Sequence, residues 1–445
     1  MLTKVIRCFQ GLSSYQVILV TFMSLIAGGT LLLMLPFVTV QGQSMNFLDA
    51  LFTATSASCV TGLVIEDTGT YFNVYGQLII VGLIQLGGLG LMTIATLFTI
   101  AFNKKITLQD RLRIQESLNE SEITGVVKMC IRVARFTIAL EFIFGSMLAW
   151  HLYGLMGAKG IYYGYWHSIS AFCNAGFDLL GNFSSFTAYA TDVPVNLILI
   201  SLIILGSMGF NVLEDVIHTR NWARLRLHSK LVLTTTGFLL VVGTLGFFLL
   251  EYSNTLAPFS FGHKLLASFF QAVTPRTAGF NTLDMTQIKP AGSILLVVLM
   301  FIGASPASTG GGIKTTTFAV SVLAIKNLLH SRSELVVFNR QISDTYMQRS
   351  FAIVCLSVVW VMTATLLMTA FEATSMERAM FEVVSAFATV GLSNGLSQEI
   401  GMGGKIILIM TMFAGRVGVL TFVLALTSKR KTDRVRYPKE KIMVG

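Results

Sequence analysis

The sequence predicts an all-α integral membrane protein built from four repeats of span, pore helix and span around a central pore with pseudo-fourfold symmetry. Three observations lead to this fold class. Apolar residues make up 53% of the 445 residues and charged residues only 12%, about half the charged share of a soluble domain. Long apolar stretches alternate with short ones, and a glycine motif recurs four times along the chain. The composition therefore argues against a soluble globular protein.

Eight apolar stretches are long enough to cross a bilayer as helices, which takes about 20 residues with few charges. They lie near 16–40, 75–102, 136–157, 193–213, 231–250, 290–325, 350–371 and 405–428. Each of four shorter stretches falls between an odd-numbered and an even-numbered span, near 46–61, 163–175, 263–275 and 378–390. These four are too short to span, and their length suits re-entrant pore helices. We therefore expect eight transmembrane helices and four re-entrant ones.

The basic residues predict the orientation in the membrane. With both termini inside, eight spans place 24 of the 32 Lys and Arg residues in cytoplasmic segments, six in outer segments, and Lys314 and Arg416 within spans. Such a bias is typical of cytoplasmic loops, so we expect a multi-pass membrane protein with both termini cytoplasmic. The net charge of +10 is then a topology signal, and the expected partner is the lipid bilayer and not a nucleic acid.

The spans and the charges together predict the segment boundaries. We expect a cytoplasmic N-terminus at 1–15, repeat 1 at 16–102, a cytoplasmic loop at 103–125, repeat 2 at 126–216, a loop at 217–229, repeat 3 at 230–326, a loop at 327–348, repeat 4 at 349–428 and a cytoplasmic tail at 429–445. The loops and the tail carry mixed charges and are too small to form a domain. We interpret them as a docking surface.

The four short stretches share a motif that ends in a glycine loop. SASCVTGLVIED, SAFCNAGFD, AVTPRTAGFNTLD and SAFATVGLSNG align without a gap on Gly62, Gly176, Gly279 and Gly391. These glycines are separated by 114, 103 and 112 residues, and a bulky apolar residue follows each one. In three copies a serine lies six residues before the glycine, at Ser56, Ser170 and Ser385. Repetition at a nearly fixed period indicates repeated structural units.

These glycine loops are the candidate ion-binding site. A loop that turns back at membrane depth must line a polar cavity or be buried in protein, because helical bonding does not satisfy its backbone. Four such loops around one axis would direct carbonyl oxygens at a common point, which favours a large monovalent cation such as potassium. The candidate filter residues are Val60, Thr61, Gly62, Asn174, Ala175, Gly176, Thr277, Ala278, Gly279, Thr389, Val390 and Gly391. The alternative is that the glycines only permit tight helix packing.

The second span of each repeat is interrupted by small residues, 24 to 30 residues after the filter glycine. The third interruption is elaborated into IGASPASTGGGIKTTTF, which is incompatible with a regular helix, so we expect a gating loop at 303–317 beneath the filter. Arg416 lies at the matching interruption of the fourth repeat, where it would repel a permeating cation or anchor the loop through its carbonyls. Pairing of Arg416 with a carboxylate is the alternative. The candidate gate residues are Thr309, Gly310, Gly311, Gly312, Lys314 and Arg416.

Two other features of the spans have competing interpretations. The segment GASPASTGGGIKT resembles a phosphate-binding loop, but Ile313 separates the last glycine from Lys314 and the flanks are membrane helices, so the Walker pattern is not met. Glu141 and Glu251 are expected near the outer ends of their spans, where they would reach head groups or cap neighbouring helices. That role is favoured over a proton relay.

The filter motifs and the interrupted spans resemble those of the potassium-translocating subunits of the Trk/Ktr/HKT superfamily, over essentially the whole chain. In that superfamily the residues matching Gly62, Gly176, Gly279 and Gly391 are filter glycines, the first being serine in many sodium-selective plant members. The segment matching 303–317 is described there as a gate. Glycine at the first position favours potassium here. The departures are that no copy reads TVGYG, Asn174 replaces a threonine and Arg276 stands beside the third loop.

The resemblance implies a homodimer in the membrane and a separate cytosolic ring of a nucleotide-binding, KtrA-type regulator. The expected function is channel-like uptake of potassium ion, with sodium as activator or coupling ion left open and no organic cofactor in this chain. A sodium- or proton-coupled cation carrier is the alternative, but of its expected midplane carboxylates and broken half-helices only the breaks are found. A membrane enzyme would need clustered His, Asp or Glu residues on facing helices, which are absent from the sequence, so no enzymatic activity is expected.

Overall fold

A computed structural model describes residues 14–90, 126–330 and 334–426, together with Thr93 and Leu112. The first half contains helices α1 (Ser14–Leu33), α2 (Phe47–Ser58), α3 (Val74–Leu89), α4 (Val126–Met156), α5 (Ala158–Phe172), α6 (Val193–Ser207), α7 (Phe210–Thr219) and α8 (Leu227–Glu251). The second half contains α9 (Phe261–Val273), α10 (Pro290–Phe301), α11 (Thr315–Leu329), an antiparallel hairpin of β1 (Leu335–Val337) and β2 (Arg340–Ile342), α12 (Asp344–Phe371), α13 (Met376–Ala388), α14 (Leu396–Glu399), α15 (Met402–Val417) and α16 (Val419–Leu426). Short 3₁₀ helices lie at Pro36–Val38, Thr187–Tyr189, Trp222–Arg224 and Met285–Gln287.

Among the described helices, α1, α4, α8 and α12 are each long and apolar enough to cross a membrane. The pairs α6 with α7 and α15 with α16 also qualify if each is counted as one bent span, which gives up to six. Eight spans were predicted, and the other two are interrupted in the structure. The stretch 75–102 is helical to Leu89, and its second half lies outside the described residues apart from Thr93. The stretch 290–325 consists of α10 and the start of α11, separated by the non-helical loop 302–314.

The interruptions occur at the glycine-rich sites that the sequence indicates. Helix α3 ends at Gly90, α6 and α7 meet at Gly209 with an angle of 100°, and α15 and α16 meet at Gly418 with an angle of 95°. These three glycines have φ values of 81°, 86° and 90°, a region that residues with a Cβ atom rarely adopt. Helix α3 therefore ends at Gly90 as predicted, and the breaks at Gly209 and Gly418 are confirmed, where glycine permits the sharp change of direction.

The core lies between the short helices and the helices around them. The four short helices α2, α5, α9 and α13 each pack against the long helix that precedes them in the chain. Each buries one phenylalanine completely, at Phe52, Phe172, Phe270 and Phe387. The outer faces of the long helices carry exposed apolar side chains, such as Trp150 at 86% exposure and Leu249 at 74%. Such surfaces suit contact with lipid.

Glu141 on α4 and Glu251 at the end of α8 have different surroundings. Glu251 ends α8, and its Oε1 accepts the N–H of Lys289 at 2.9 Å, so it caps the start of α10, as expected. Glu141 lies in the middle of α4 and is buried. Its Oε2 accepts from Gln85 Nε2 at 3.1 Å, and its Oε1 lies 3.9 Å from Cys173 Sγ. The expectation of an outer, head-group position for Glu141 is therefore wrong, because this side chain faces α3 and the end of α5.

Three interrupted helices approach the short helices so closely that no side chain fits. A Cβ atom added to Gly87, Gly206 or Gly415 would lie 2.0, 2.0 or 1.8 Å from the carbonyl oxygens of Ser58, Phe172 and Phe387, respectively. These carbonyls occupy the same place in their units, four residues before the predicted filter glycine. Glycine at these crossings therefore holds the interrupted helices against the ends of the short helices.

We predict that Gly87→Ala lowers the free energy of unfolding by about 3 kcal/mol, the upper end of the usual cost of overpacking. The added methyl group would overlap the Ser58 carbonyl. Gly82→Ala is the matched control, because it lies in the same helix and its Cβ would meet no atom within 4 Å; it should be neutral or stabilising by up to about 1 kcal/mol. Thermal unfolding of the purified protein in detergent measures both effects, and equal stability of the two variants would contradict this packing.

Candidate functional site

Each short helix ends in a loop with the same unusual backbone. The residue two positions before the glycine has φ between 52° and 70° in all four loops, at Val60, Asn174, Thr277 and Thr389. The glycines themselves have φ of 92°, 70°, 79° and 92°. Positive φ is rare for β-branched residues, which occupy three of the four positions. Such a conformation persists only where surrounding contacts enforce it, and it is concentrated at functional sites.

The loops share a hydrogen bond that closes each turn. The N–H group of the residue before the glycine donates to a serine or threonine carbonyl at 2.8 to 3.0 Å, pairing Thr61 with Ser56, Ala175 with Ser170, Ala278 with Thr274, and Val390 with Ser385. The four hydroxyl groups also hold the loops. Those of Ser56 and Ser385 accept the glycine N–H at 3.1 Å, whereas those of Ser170 and Thr274 donate to the carbonyl of the residue after the glycine.

Sequence reasoning missed Thr274. It performs the role of the serines but lies five residues before its glycine, not six. The third loop is thus one residue shorter than the others, and a gapless alignment places Val273 at the serine position. An alignment that allows a gap of one residue in the third motif would have identified Thr274.

The four glycines form a closed ring in which each loop packs against the next. A Cβ atom added to any one of them would collide with the backbone of the following loop. The distances would be 2.4 Å from Gly62 to the Ala175 oxygen, 2.8 Å from Gly176 to the Ala278 oxygen, 2.3 Å from Gly279 to the Val390 oxygen and 2.2 Å from Gly391 to the Thr61 oxygen. All twelve residues predicted for the filter are buried and lie in these four loops.

A polar cavity of about 330 Å³ opens on one side of the ring and is lined by all four glycines. Residues that follow the glycines complete its wall, among them Asp67, Asp178, Asp284 and Ser393. Three of the four loops thus contribute an acidic side chain to the cavity, which attracts cations when it is ionised. Asp67 also orders the wall, because its Oδ2 accepts the N–H of Phe183 at 2.7 Å.

The loop 302–314 lies on the opposite side of the ring, where it contacts residues that precede the glycines. A Cβ atom on Gly310 would be 2.1 Å from Thr277 Oγ1, and one on Gly311 would be 2.4 Å from Thr389 Oγ1. The hydroxyl group of Thr309 donates to the carbonyls of Phe172 and Gly206 at 3.2 and 3.1 Å. The loop is therefore held directly against the third and fourth glycine loops and the end of α5.

Arg416 connects this loop to the first unit. Its guanidinium group donates to the carbonyl oxygens of Thr309 and Gly87 and lies 3.4 Å from that of Gly88. Lys314 Nζ donates to the Gly310 carbonyl at 2.7 Å. Within the described part of the chain, neither side chain forms an ion pair with a carboxylate. Of the two roles expected for Arg416, hydrogen bonding to carbonyls is thus present, and among the described residues no carboxylate pairs with it.

Arg276, beside the third loop, faces away from the ring. Its Nη1 donates to Thr236 Oγ1 on α8 at 3.2 Å, and only 3% of the residue is exposed. The position of Arg276, three residues before the glycine, is filled by Cys59 and Cys173 in the first two loops, and both cysteines are buried. The cationic side chain therefore packs behind the loop and adds no charge to the cavity wall.

Comparisons with known proteins relate this chain to cation transport proteins. The family model for TrkH, described as a cation transport protein, matches residues 12–435. Ktr system potassium uptake protein B of Bacillus subtilis is 42% identical over 97% of this chain and 96% of that protein. Potassium/sodium uptake protein NtpJ of Enterococcus hirae is 39% identical over 99% of both. The crystal structure of the potassium transporter TrkH from Vibrio parahaemolyticus has the same fold, with a TM-score of 0.72 and 18% identity over 93% of this chain and 84% of that chain.

We expect the half-buried carboxyl group of Asp178, in the cavity wall, to make stability depend on pH. Burial in the cavity wall raises its pKa from 3.8 to about 7, although the N–H of Leu180 opposes the rise. Between these values the native state retains a proton that the unfolded chain loses, so the free energy of unfolding falls as pH rises through this window. We predict that Asp178→Asn flattens this fall in thermal unfolding measured at pH 5 and pH 8, whereas Asp284→Asn, at an exposed carboxylate of the same cavity, does not. An unchanged pH dependence in Asp178→Asn would contradict the burial argument.

Proposed function

Because the chain belongs to the TrkH family of cation transport proteins, we propose that it is the membrane-spanning subunit of a potassium-uptake system in a bacterial plasma membrane, with both termini cytoplasmic. The observation that carries this proposal is the closed ring of four glycine loops at the floor of a polar cavity. The names of the relatives, which refer to potassium uptake, support potassium as the transported ion. The role is transport and not catalysis.

The proposed architecture has four repeats of span, pore helix and span, hence eight spans, around one central pore. The shared φ pattern and hydrogen bonding of the four glycine loops support it. So do the glycine breaks at equivalent places in three interrupted helices and the non-helical loop in the fourth. The segment boundaries expected from the sequence are retained in this proposal.

The filter comprises the twelve loop residues, with backbone oxygens as the main ligands. The ring fixes the carbonyl oxygens of Thr61, Ala175, Ala278 and Val390 between neighbouring loops. Neutral oxygens held at fixed distances replace the water shell of a weakly hydrated cation such as potassium. The hydroxyl groups of Thr61, Thr277 and Thr389 are buried and have no partner within the described residues. They therefore remain available to contact a cation below the glycines.

The gate comprises the loop 303–317 and Arg416. The loop fills the space directly beneath two of the four filter loops, so it blocks a path along the ring axis. Arg416 holds it closed by joining the Thr309 carbonyl to α3. Opening requires those two hydrogen bonds to break and the glycines at 310–312 to move aside, and glycine has the backbone freedom for such a change.

We also propose that the chain forms a homodimer and binds a cytosolic, KtrA-type nucleotide-binding ring. The support is that relatives carry the name Ktr system, which indicates several components. Sodium as an activator or a coupled ion is the second candidate function, and the name of the potassium/sodium uptake protein NtpJ favours it. Potassium uptake without sodium and sodium-dependent uptake differ in one measurable result, because only sodium-coupled or sodium-activated uptake requires external sodium.

Replacing a filter glycine should reduce discrimination between potassium and sodium. We predict that Gly62→Ser and Gly391→Ser each lower the preference for potassium by roughly tenfold, a change of only about 1.4 kcal/mol in relative binding. The new side chain would overlap the next loop's carbonyl. Rubidium and potassium flux into liposomes with and without sodium measures the preference. Gly28→Ser, with open space around its Cβ, is the control, and an unchanged preference in both filter variants would make the filter assignment wrong.

Releasing the loop should raise basal flux in the absence of any regulator. We predict this for Arg416→Ala and for deletion of residues 308–312, with Arg378→Ala, an exposed surface arginine, as control. Arg416→Lys separates two explanations, because lysine keeps the charge but loses the planar fork that reaches two segments. If Arg416 acts by anchoring the loop, Arg416→Lys should show high basal flux. If it acts by repelling the cation, Arg416→Lys should keep basal flux low. Unchanged flux in Arg416→Ala would contradict the gate.

A further inference from the structure

The short helices share a second buried polar position on the face that supports the outer halves of the loops. It lies three residues before the serine or threonine that closes each turn. The residues there are Thr53, His167, Gln271 and Glu382, with exposures of 2% or less. Their chemistry differs from copy to copy, and the third is shifted by the one-residue gap, so the sequence does not reveal that they correspond.

In the second unit this position anchors the backbone beyond the glycine. His167 Nε2 accepts the N–H of Leu179, three residues after Gly176, at 3.0 Å. Its Nδ1 lies 2.7 Å from the Tyr163 carbonyl, which only accepts, so the ring is neutral with its proton on Nδ1. Aromatic rings pack edge-on around the imidazole, among them Phe186 at 5.0 Å between centroids. The ring is thereby fixed in one orientation.

In the fourth unit Glu382 does the same. Its Oε1 accepts the N–H of Asn394, again three residues after the glycine, at 3.2 Å, and the N–H of Ser397 at 3.4 Å. The Ser393 hydroxyl group also donates to this oxygen. Oε2 has no partner among the described residues. One carboxylate oxygen thus gathers three donors from the loop that follows Gly391.

The other two loops are braced by the second loop. Thr53 Oγ1 and both amide atoms of Gln271 lack partners within the described ranges. The first loop is joined to the second by Asp67, which accepts the Phe183 N–H. The third is joined to it through Asn281, whose N–H donates to Ser185 Oγ at 3.2 Å and whose carbonyl accepts the Phe186 N–H at 3.0 Å. His167 therefore anchors the second loop directly, Glu382 anchors the fourth, and the first and third loops are joined to the second by hydrogen bonds.

We propose that His167 and Glu382 are positioning residues that set the ion preference of the pore by fixing the backbone three residues beyond the second and fourth filter glycines. This inference rests on the proposed function of the ring as the filter. Neither side chain touches the ion. Each acts on the loop that carries the ring glycine, so loss of the anchor changes the distances between opposing carbonyl oxygens.

The test compares variants that remove the acceptor with variants that keep one. His167→Phe and Glu382→Leu fill the space without accepting a hydrogen bond, whereas His167→Gln and Glu382→Gln retain an acceptor oxygen. Glu377→Gln, at an exposed carboxylate of the same helix as Glu382, is the control. Two readouts are taken: the ratio of potassium to sodium flux into liposomes, and the shift of the thermal unfolding midpoint between potassium and sodium chloride, which reports binding to the folded state.

We expect the acceptor-free variants to lose roughly three- to tenfold of their potassium preference, the loss expected of one or two hydrogen bonds, and to lose the potassium-specific shift. The glutamine variants should keep both. Ser393→Ala removes one of the donors to Glu382, from the cavity wall, and should show a smaller loss of potassium preference. This variant still tests the inference if His167→Phe or Glu382→Leu does not fold. An unchanged preference for potassium over sodium in the acceptor-free variants and in Ser393→Ala would overturn the inference. So would glutamine variants that lose as much of this preference as the acceptor-free variants.

The two readouts separate this inference from the proposed function. Potassium-specific stabilisation that the acceptor-free variants lose, combined with no ion flux in the unmodified protein, supports the anchors and contradicts uptake. Potassium-selective flux in the unmodified protein that the same variants retain supports uptake and overturns the anchors.

Discussion

Buried non-helical backbone needs partners for its N–H and C=O groups, and the structure depends on how the four glycine loops meet this constraint. In each loop the N–H before the glycine is satisfied by the carbonyl of a serine or threonine on the same short helix. A hydroxyl group satisfies either the glycine N–H or the carbonyl after it. In the proposed filter, the carbonyl oxygens between neighbouring loops then remain available for a cation.

The same close packing extends beneath the ring. Glycine is required at positions 310 and 311 because threonine side chains of the third and fourth loops occupy the space a Cβ atom would need. The third unit also departs from the other three at its interruption. There Gly303 packs against the carbonyl of Gly311 in the loop itself, whereas Gly87, Gly206 and Gly415 pack against the short helices. A single elaborated break thus turns a symmetric scaffold into one with an asymmetric loop.

Backbone similarity among the four glycine loops coexists with different side-chain chemistry. Histidine and glutamate anchor the second and fourth loops, and Asp67 braces the first against the second. Arg276 occupies a place that is a buried cysteine in two other units. Because a hydrogen bond to backbone N–H requires only an acceptor at the right place, unlike residues serve the same geometric purpose. The ring is therefore more symmetric than the residues that support it.

The sequence by itself determined the helical membrane class, the positions of the four short helices, the four ring glycines and the sites of the breaks. These are local signals, because apolar length and glycine clusters act within a few residues. Only the tertiary structure decided the partners of Arg416, which lie 107 and 329 residues away in the chain, the buried surroundings of Glu141, the role of Thr274 and the match between His167 and Glu382. These depend on which distant segments come together in space, and a one-residue gap or a change of residue type is enough to hide them from the sequence.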